Sequence, residues 1–231
     1  MKRFLIYVPY VLVTAAIMLP LLPPGYILTL DLVFTPSLRM PSEIGSDYLW
    51  YALLHFLDVI LPSQLIEKVI LVSIPLLASV GMHRLLVHVP MGASLTSRRL
   101  NRSGAGKQSF ETTDSKVGSP LVSGLREVSE APSKQWVLAI YAASIFYAVN
   151  PFTYSRFMAG QYAVLLGYAL LPFFALALIR FLTAPSYLHT LKLTGLALVI
   201  SIISIHTLGD LLLITVVALG VAIWQHKKGT G

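Results

Sequence analysis

Asp31 is the residue of this chain best placed to do chemistry. It lies in the apolar stretch Tyr26-Ile27-Leu28-Thr29-Leu30-Asp31-Leu32-Val33-Phe34. A carboxylate in such surroundings is costly unless it meets water, a cation or a substrate. Its type suits a general base or a metal ligand; as a structural group it would be solvated or would pair with Arg39 or Arg156. Asp47 is a second acid of the same segment. Further on, Asn150-Pro151-Phe152-Thr153-Tyr154-Ser155-Arg156-Phe157-Met158-Ala159-Gly160-Gln161 collects one cation, hydrogen-bonding groups (Asn150 and Gln161 among them) and three aromatics. The planar fork of Arg156 could grip a phosphate or snorkel to lipid headgroups. His206 and Asp210 stand four residues apart, so they could share a helix face and orient a proton relay or hold a metal. Equally, Thr207, Gly209 and Asp210 suit a turn and a cap.

Other chemistries are excluded. There are no cysteines, which removes thiol catalysis, Cys-ligated zinc, iron–sulfur clusters and disulfides. Neither an H-E-x-x-H zinc motif nor a G-x-S-x-G nucleophile elbow is present. Gly104-Ala105-Gly106-Lys107 fails as a phosphate loop: Asn101 stands where the first glycine belongs, and Gln108 where Ser or Thr must follow the lysine. No residue is assigned as a metal ligand; the cofactor stays open, with a divalent cation compatible with the acids.

These residues must be held by membrane helices. The 231 residues are 56% hydrophobic and 12% charged, with a mean hydropathy of +0.76. A soluble domain carries about 25% charge. The expected fold is all-α: a polytopic helical membrane protein with about six transmembrane helices and an outer amphipathic helix. The spans read as Phe4–Leu22 (an uncleaved signal anchor with Pro9 and Pro20 inside it), Val69–Val87, Trp136–Val149, Tyr162–Leu182, Leu188–Ile205 and Leu208–Trp224. The last two form a hairpin around His206–Asp210. Gly167 and Pro172 predict a kink in the fourth.

Charge sets the orientation. With the N-terminus inside, the cytoplasmic segments hold 14 of the 17 Lys and Arg residues against four acids, and the outer segments hold three against six. This is the positive-inside pattern, with both termini cytoplasmic. It accounts for the pI near 9.7 without nucleic acid, because the basic residues are spread over four inside segments. The expected location is the plasma membrane.

Three parts follow: residues 1–91, two spans with a large outer loop (23–68); residues 92–135, a Ser/Gly/Thr/Lys-rich cytoplasmic linker too polar to bury a core; and residues 136–231, a four-helix segment. The basic cluster Arg98–Lys107 reads as a topology determinant beside anionic lipid. In the outer loop, Asp47–Leu61 predicts an interfacial helix with Asp47, Tyr51, His55 and Asp58 on one face.

Together these features resemble the first part of GT-C-type membrane glycosyltransferases, and more closely the multi-spanning YfhO-like and arabinofuranosyltransferase-like groups. The resemblance rests on a signal anchor followed by an acid a few residues past Leu22-Pro23-Pro24-Gly25, on the amphipathic helix, and on the run Asn150-Pro151-Phe152, Arg156, Gly160-Gln161, then Gly167-Tyr168-Ala169-Leu170-Leu171-Pro172. It implies transfer of a sugar from a polyprenyl-phosphate donor at the outer face. Asp31 would then be the base (Asp47 the alternative), and Arg156 and His206 would steady the departing lipid phosphate. Such enzymes have more spans, whereas only Gln225–Gly231 follows the sixth here. The resemblance therefore also implies a fragment, a truncated paralogue or one subunit of a split enzyme working with a membrane partner. A non-catalytic scaffold and a small transporter are the competing readings.

Overall fold

A computed structural model describes residues 2–27, 34, 38, 45, 48–88 and 134–230, and every regular element among them is helical. In order these are α1 (Lys2–Leu5), α2 (Val8–Met18, continued by a 3-10 turn at Leu19–Leu21), α3 (Tyr48–Asp58), α4 (Ser63–His88), α5 (Lys134–Ala148), α6 (Pro151–Met158), α7 (Tyr162–Thr183), α8 (Tyr187–Ile203) and α9 (Thr207–Thr230). Met1–His88 with Ile140–Gly231 forms one compact unit. Val89–Ala139 forms another, of which residues 134–139, the start of α5, are described.

Four helical stretches are long and apolar enough to cross a membrane: Ser63–His88, Lys134–Met158, Tyr162–Thr183 and Thr207–Trp224. The other two expected spans are shorter, Val8–Leu21 and Tyr187–Ile203. Pro9 explains the first. It has no N–H to offer Leu5 and its ring crowds that carbonyl, so the chain breaks after Leu5 and restarts at Val8. The predicted linker also needs correction at its end, because Lys134 and Gln135 are already helical; its residues 92–133 lie outside the described residues. The predicted 47–61 helix is observed as α3, followed by a turn in which the Leu57 carbonyl accepts the Ile60 and Leu61 N–H groups.

Packing centres on α4 and α7, with α2 and α3 against α4 and α6, α8 and α9 against α7. One apolar cluster joins Met18, Trp50, Leu54, Ile66, Ile74, Tyr162, Leu165 and Ile203. A second joins Leu171, Phe174, Leu178, Ile200 and Leu211. Three buried alanines, Ala78, Ala148 and Ala169, let α4, α5 and α7 approach closely, the usual role of small residues between membrane helices.

Backbone groups freed inside the helices find partners. Pro172 cannot donate to the Tyr168 carbonyl, and the Tyr147 hydroxyl donates to that carbonyl instead, at 3.0 Å. α7 therefore continues through Pro172. Buried hydroxyls turn back on their own helix: Ser79 donates to the Pro75 carbonyl at 2.6 Å and Ser144 to that of Ile140 at 2.7 Å. Gly167, expected at a kink, is a packing position: a Cβ there would lie 2.6 Å from Thr207 Cγ2.

Segment 22–27 is strapped to the start of α4. The Lys68 ammonium donates to the Leu22 carbonyl at 3.0 Å and to that of Pro23. Tyr26 Oη and Ser63 Oγ lie 2.9 Å apart, and the Ile27 N–H donates to Glu67 Oε1 at 3.0 Å. Glu67 is fully buried, and its Oε2 has no hydrogen-bond partner.

Candidate functional site

The α6–α7 junction builds the site. Asn150 is extended, which frees its side chain to cap α6: its Oδ1 accepts the Thr153 N–H at 3.0 Å, and Pro151 fills the first helical position, where no donor is needed. The sequence suggested a loop here and a substrate-binding Asn150. The structure corrects the first, since residues 151–158 are helical, and gives Asn150 a place in the helix junction, outside the cavity described below. Its Nδ2 donates to the Tyr147 carbonyl at 2.8 Å and to Tyr168 Oη at 3.0 Å. The rings of Tyr147 and Tyr168 stack with centroids 4.4 Å apart, and each hydroxyl donates to the other residue's carbonyl. Asn150→Ala is expected to lower stability by about 2 kcal/mol, from the lost cap and an orphaned acceptor. Asn150→Ser, which keeps a capping oxygen, should lose about half as much. Equal thermal stability of wild type and Asn150→Ala would remove this role.

α6 ends at Gly160, whose φ of +78° suits glycine. Its N–H donates to the Phe157 carbonyl, and that of Gln161 to the Arg156 carbonyl, each at 3.0 Å. This pair of bonds is the Schellman closure. It turns the chain directly into α7 and brings Gln161 back beside Arg156, where Arg156 Nη1 donates to Gln161 Oε1 at 2.6 Å. The Arg156 guanidinium also lies over the Phe152 ring, 5.5 Å from its centroid.

At the other side, α8 and α9 are joined by three residues, Ser204, Ile205 and His206. Thr207 fastens this turn: its hydroxyl donates to the Ser204 carbonyl at 2.7 Å. Asp210 is exposed in the first turn of α9, where its charge suits the helix dipole. It makes no hydrogen bond with His206 and does not share its cavity.

That cavity, of about 500 Å³, is lined by Arg156, Gln161 and His206 together with Trp50, Tyr51, Tyr162 and Ser204. Arg156, Gln161 and His206, three of the candidate residues read from the sequence, thus line one cavity. Trp50 and Ser204 were not singled out in the sequence, yet Trp50 Nε1 and Ser204 Oγ are buried without a hydrogen-bond partner. A buried polar atom without a partner is uncommon; both residues border the cavity, with these two atoms behind its wall. No carboxylate lines the cavity among the described residues. Its lining side chains include a guanidinium, an amide, an imidazole and the Tyr51 and Tyr162 phenols, a set suited to an anionic oxygen ligand with further hydroxyls.

The polar face of α3 divides its work. His55 Nδ1 donates to the Leu38 carbonyl at 2.6 Å, and Asp58 Oδ2 accepts the Leu38 N–H at 2.9 Å. Both clamp the preceding segment, while Tyr51 reaches the cavity. Asp31 and Asp47 lie outside the described residues. Among the described residues no group of three His, Asp or Glu is placed to hold a metal ion. No known family model, curated protein or solved structure matches this chain.

Proposed function

We propose that the protein is a multi-pass plasma-membrane protein of the GT-C type that transfers a sugar from a polyprenyl-phosphate donor at the outer membrane face. The observation that carries this reading is the cavity in which Arg156, Gln161 and His206 converge with the unpartnered Trp50 and Ser204. The six apolar helices cross the bilayer with both ends cytoplasmic, a topology supported by the charge distribution of the sequence. Asp31 takes the proton of the acceptor hydroxyl, whose oxygen attacks the anomeric carbon. The bond from that carbon to the phosphate oxygen breaks, and the polyprenyl phosphate leaves with the electron pair, its charge met by Arg156 and His206.

A transfer assay in native-lipid nanodiscs, with wild type and Asp31→Asn, tests the proposal. Wild type should transfer, and the variant should be slower by about 10²–10⁴-fold, the range of general-base assistance. Unimpaired transfer by the variant would remove Asp31 from the chemistry. No transfer by folded wild type would favour the second reading, a non-catalytic subunit that binds a membrane partner. One observation supports that alternative: α9 buries only Thr207 and Leu211 among its described side chains, and leaves a long apolar surface uncovered.

A further inference from the structure

A second and larger cavity, of about 760 Å³, lies at the other end of α7 and α8. Its cations come from three helices: Arg84 from the end of α4, Arg180 from the last turn of α7 and Lys192 from the start of α8. His83, His88 and His189 join them, and among the described residues no carboxylate lines the cavity. The described acids, Asp58, Glu67 and Asp210, all stand on elements or helix ends that do not line it. Between the cations the wall is apolar, with Leu77, Leu170, Phe173 and Leu196.

Helix dipoles account for part of this charge. Cations are favoured at helix C-termini, which suits His88 and Arg180. They are disfavoured at N-termini, and Lys192 sits in the second turn of α8. His189 is explained locally, since its Nδ1 donates to the Ala184 carbonyl at 2.7 Å. Among the described residues Arg84 makes one long hydrogen bond, 3.4 Å to Tyr7 Oη, and lies near the Tyr7 and Phe173 rings. Among the described residues no carboxylate pairs with Arg84, Arg180 or Lys192, and all three are exposed. Topological sorting explains why cations are on one side of the membrane, but not why three helices aim them at one apolar cavity. Like charges gathered there repel one another unless an anion joins them.

We infer that this cavity binds an acidic phospholipid of the surrounding bilayer, its phosphate between Arg84, Arg180 and Lys192 and an acyl chain along the leucine and phenylalanine wall. Basic pockets between transmembrane helices on the cytoplasmic side serve such headgroups. The site is separate from the proposed transfer site and does not depend on that activity. Bound lipid would brace the ends of α4, α7 and α8 against one another.

Native mass spectrometry of the full chain, titrated with phosphatidylglycerol or with phosphatidylcholine of the same acyl chains, tests this. Phosphatidylglycerol should bind at least tenfold tighter. Each of R84Q, R180Q and K192Q should lose about fivefold of that affinity, and the triple variant about 100-fold. Should the triple variant fail to fold, the three single variants carry the test. Equal affinity for the two lipids, or undiminished binding by the variants, would overturn the site. Full displacement of phosphatidylglycerol by excess inorganic phosphate would also overturn it, because the cavity would then be a soluble-anion site.

Discussion

Gly167→Ala is expected to destabilise the protein by about 1–3 kcal/mol, the usual cost of one extra methyl in a packed interior. The added Cβ would lie 2.6 Å from Thr207 Cγ2 and 3.0 Å from its Oγ1. Thr207 cannot easily give way. It is 1% exposed, its branched side chain is stiff at χ1, and its hydroxyl is held by the Ser204 carbonyl. The strain would pass to the α8–α9 turn, which carries Ser204 and His206 to the first cavity. Thermal unfolding in a mild detergent gives the first readout. The double variant Gly167→Ala/Thr207→Ser removes Cγ2, the nearest atom, and should recover much of the loss. If Gly167→Ala melts with wild type, α7 and α9 do not approach as described.

The second large effect is expected at Arg156. Under the transfer reading, Arg156→Ala lowers kcat by about 10²–10³-fold, the cost of removing one donor that meets developing charge in a transition state. Arg156→Lys should recover only part of this, since an ammonium keeps the charge but cannot present two parallel donors. Gln161→Ala should fall between wild type and Arg156→Lys, because Gln161 holds the guanidinium through one hydrogen bond of 2.6 Å. Stability should change little in these variants. Arg156 is exposed, and contacts of exposed cations contribute about 0–1 kcal/mol. Full transfer by Arg156→Ala would separate the cavity from the lipid phosphate.

Much of this architecture can be read directly along the chain. Long apolar runs mark α4, α7 and α9, and the period of α3 places His55 and Asp58 on one face, where both clamp Leu38. What escapes such reading is decided by local ambiguity or by the third dimension. Asn150-Pro151 stops one helix and equally well starts the next, and the cap decides for a start. Pro9 shortens a run that hydropathy alone extends to residue 4. Pro172 predicts a kink, and the carbonyl it frees is satisfied by the Tyr147 hydroxyl, a partner that only the fold reveals. At the site, Arg156, Gln161 and His206 stand out because polar groups are scarce in an apolar chain. Trp50 and Ser204 do not, since an indole and a hydroxyl are ordinary among helices until burial strips them of partners. His206 and Asp210 share a spacing but not a cavity, because the helix begins between them, at Thr207.

The short helices have a consequence for the membrane itself. Val8–Leu21 has 14 residues and Tyr187–Ile203 has 17, lengths of about 21 and 25 Å at 1.5 Å per residue. A hydrocarbon layer is about 30 Å thick. If they cross the bilayer as proposed, the mismatch must be met by local thinning of the bilayer, by snorkelling of flanking residues or by association with other helices. Under the transfer reading, thinning would shorten the path of a polyprenyl tail from the lipid matrix to the first cavity. In that case it would also favour residence in thinner membranes, so the fold would influence where the protein settles as well as what it can bind.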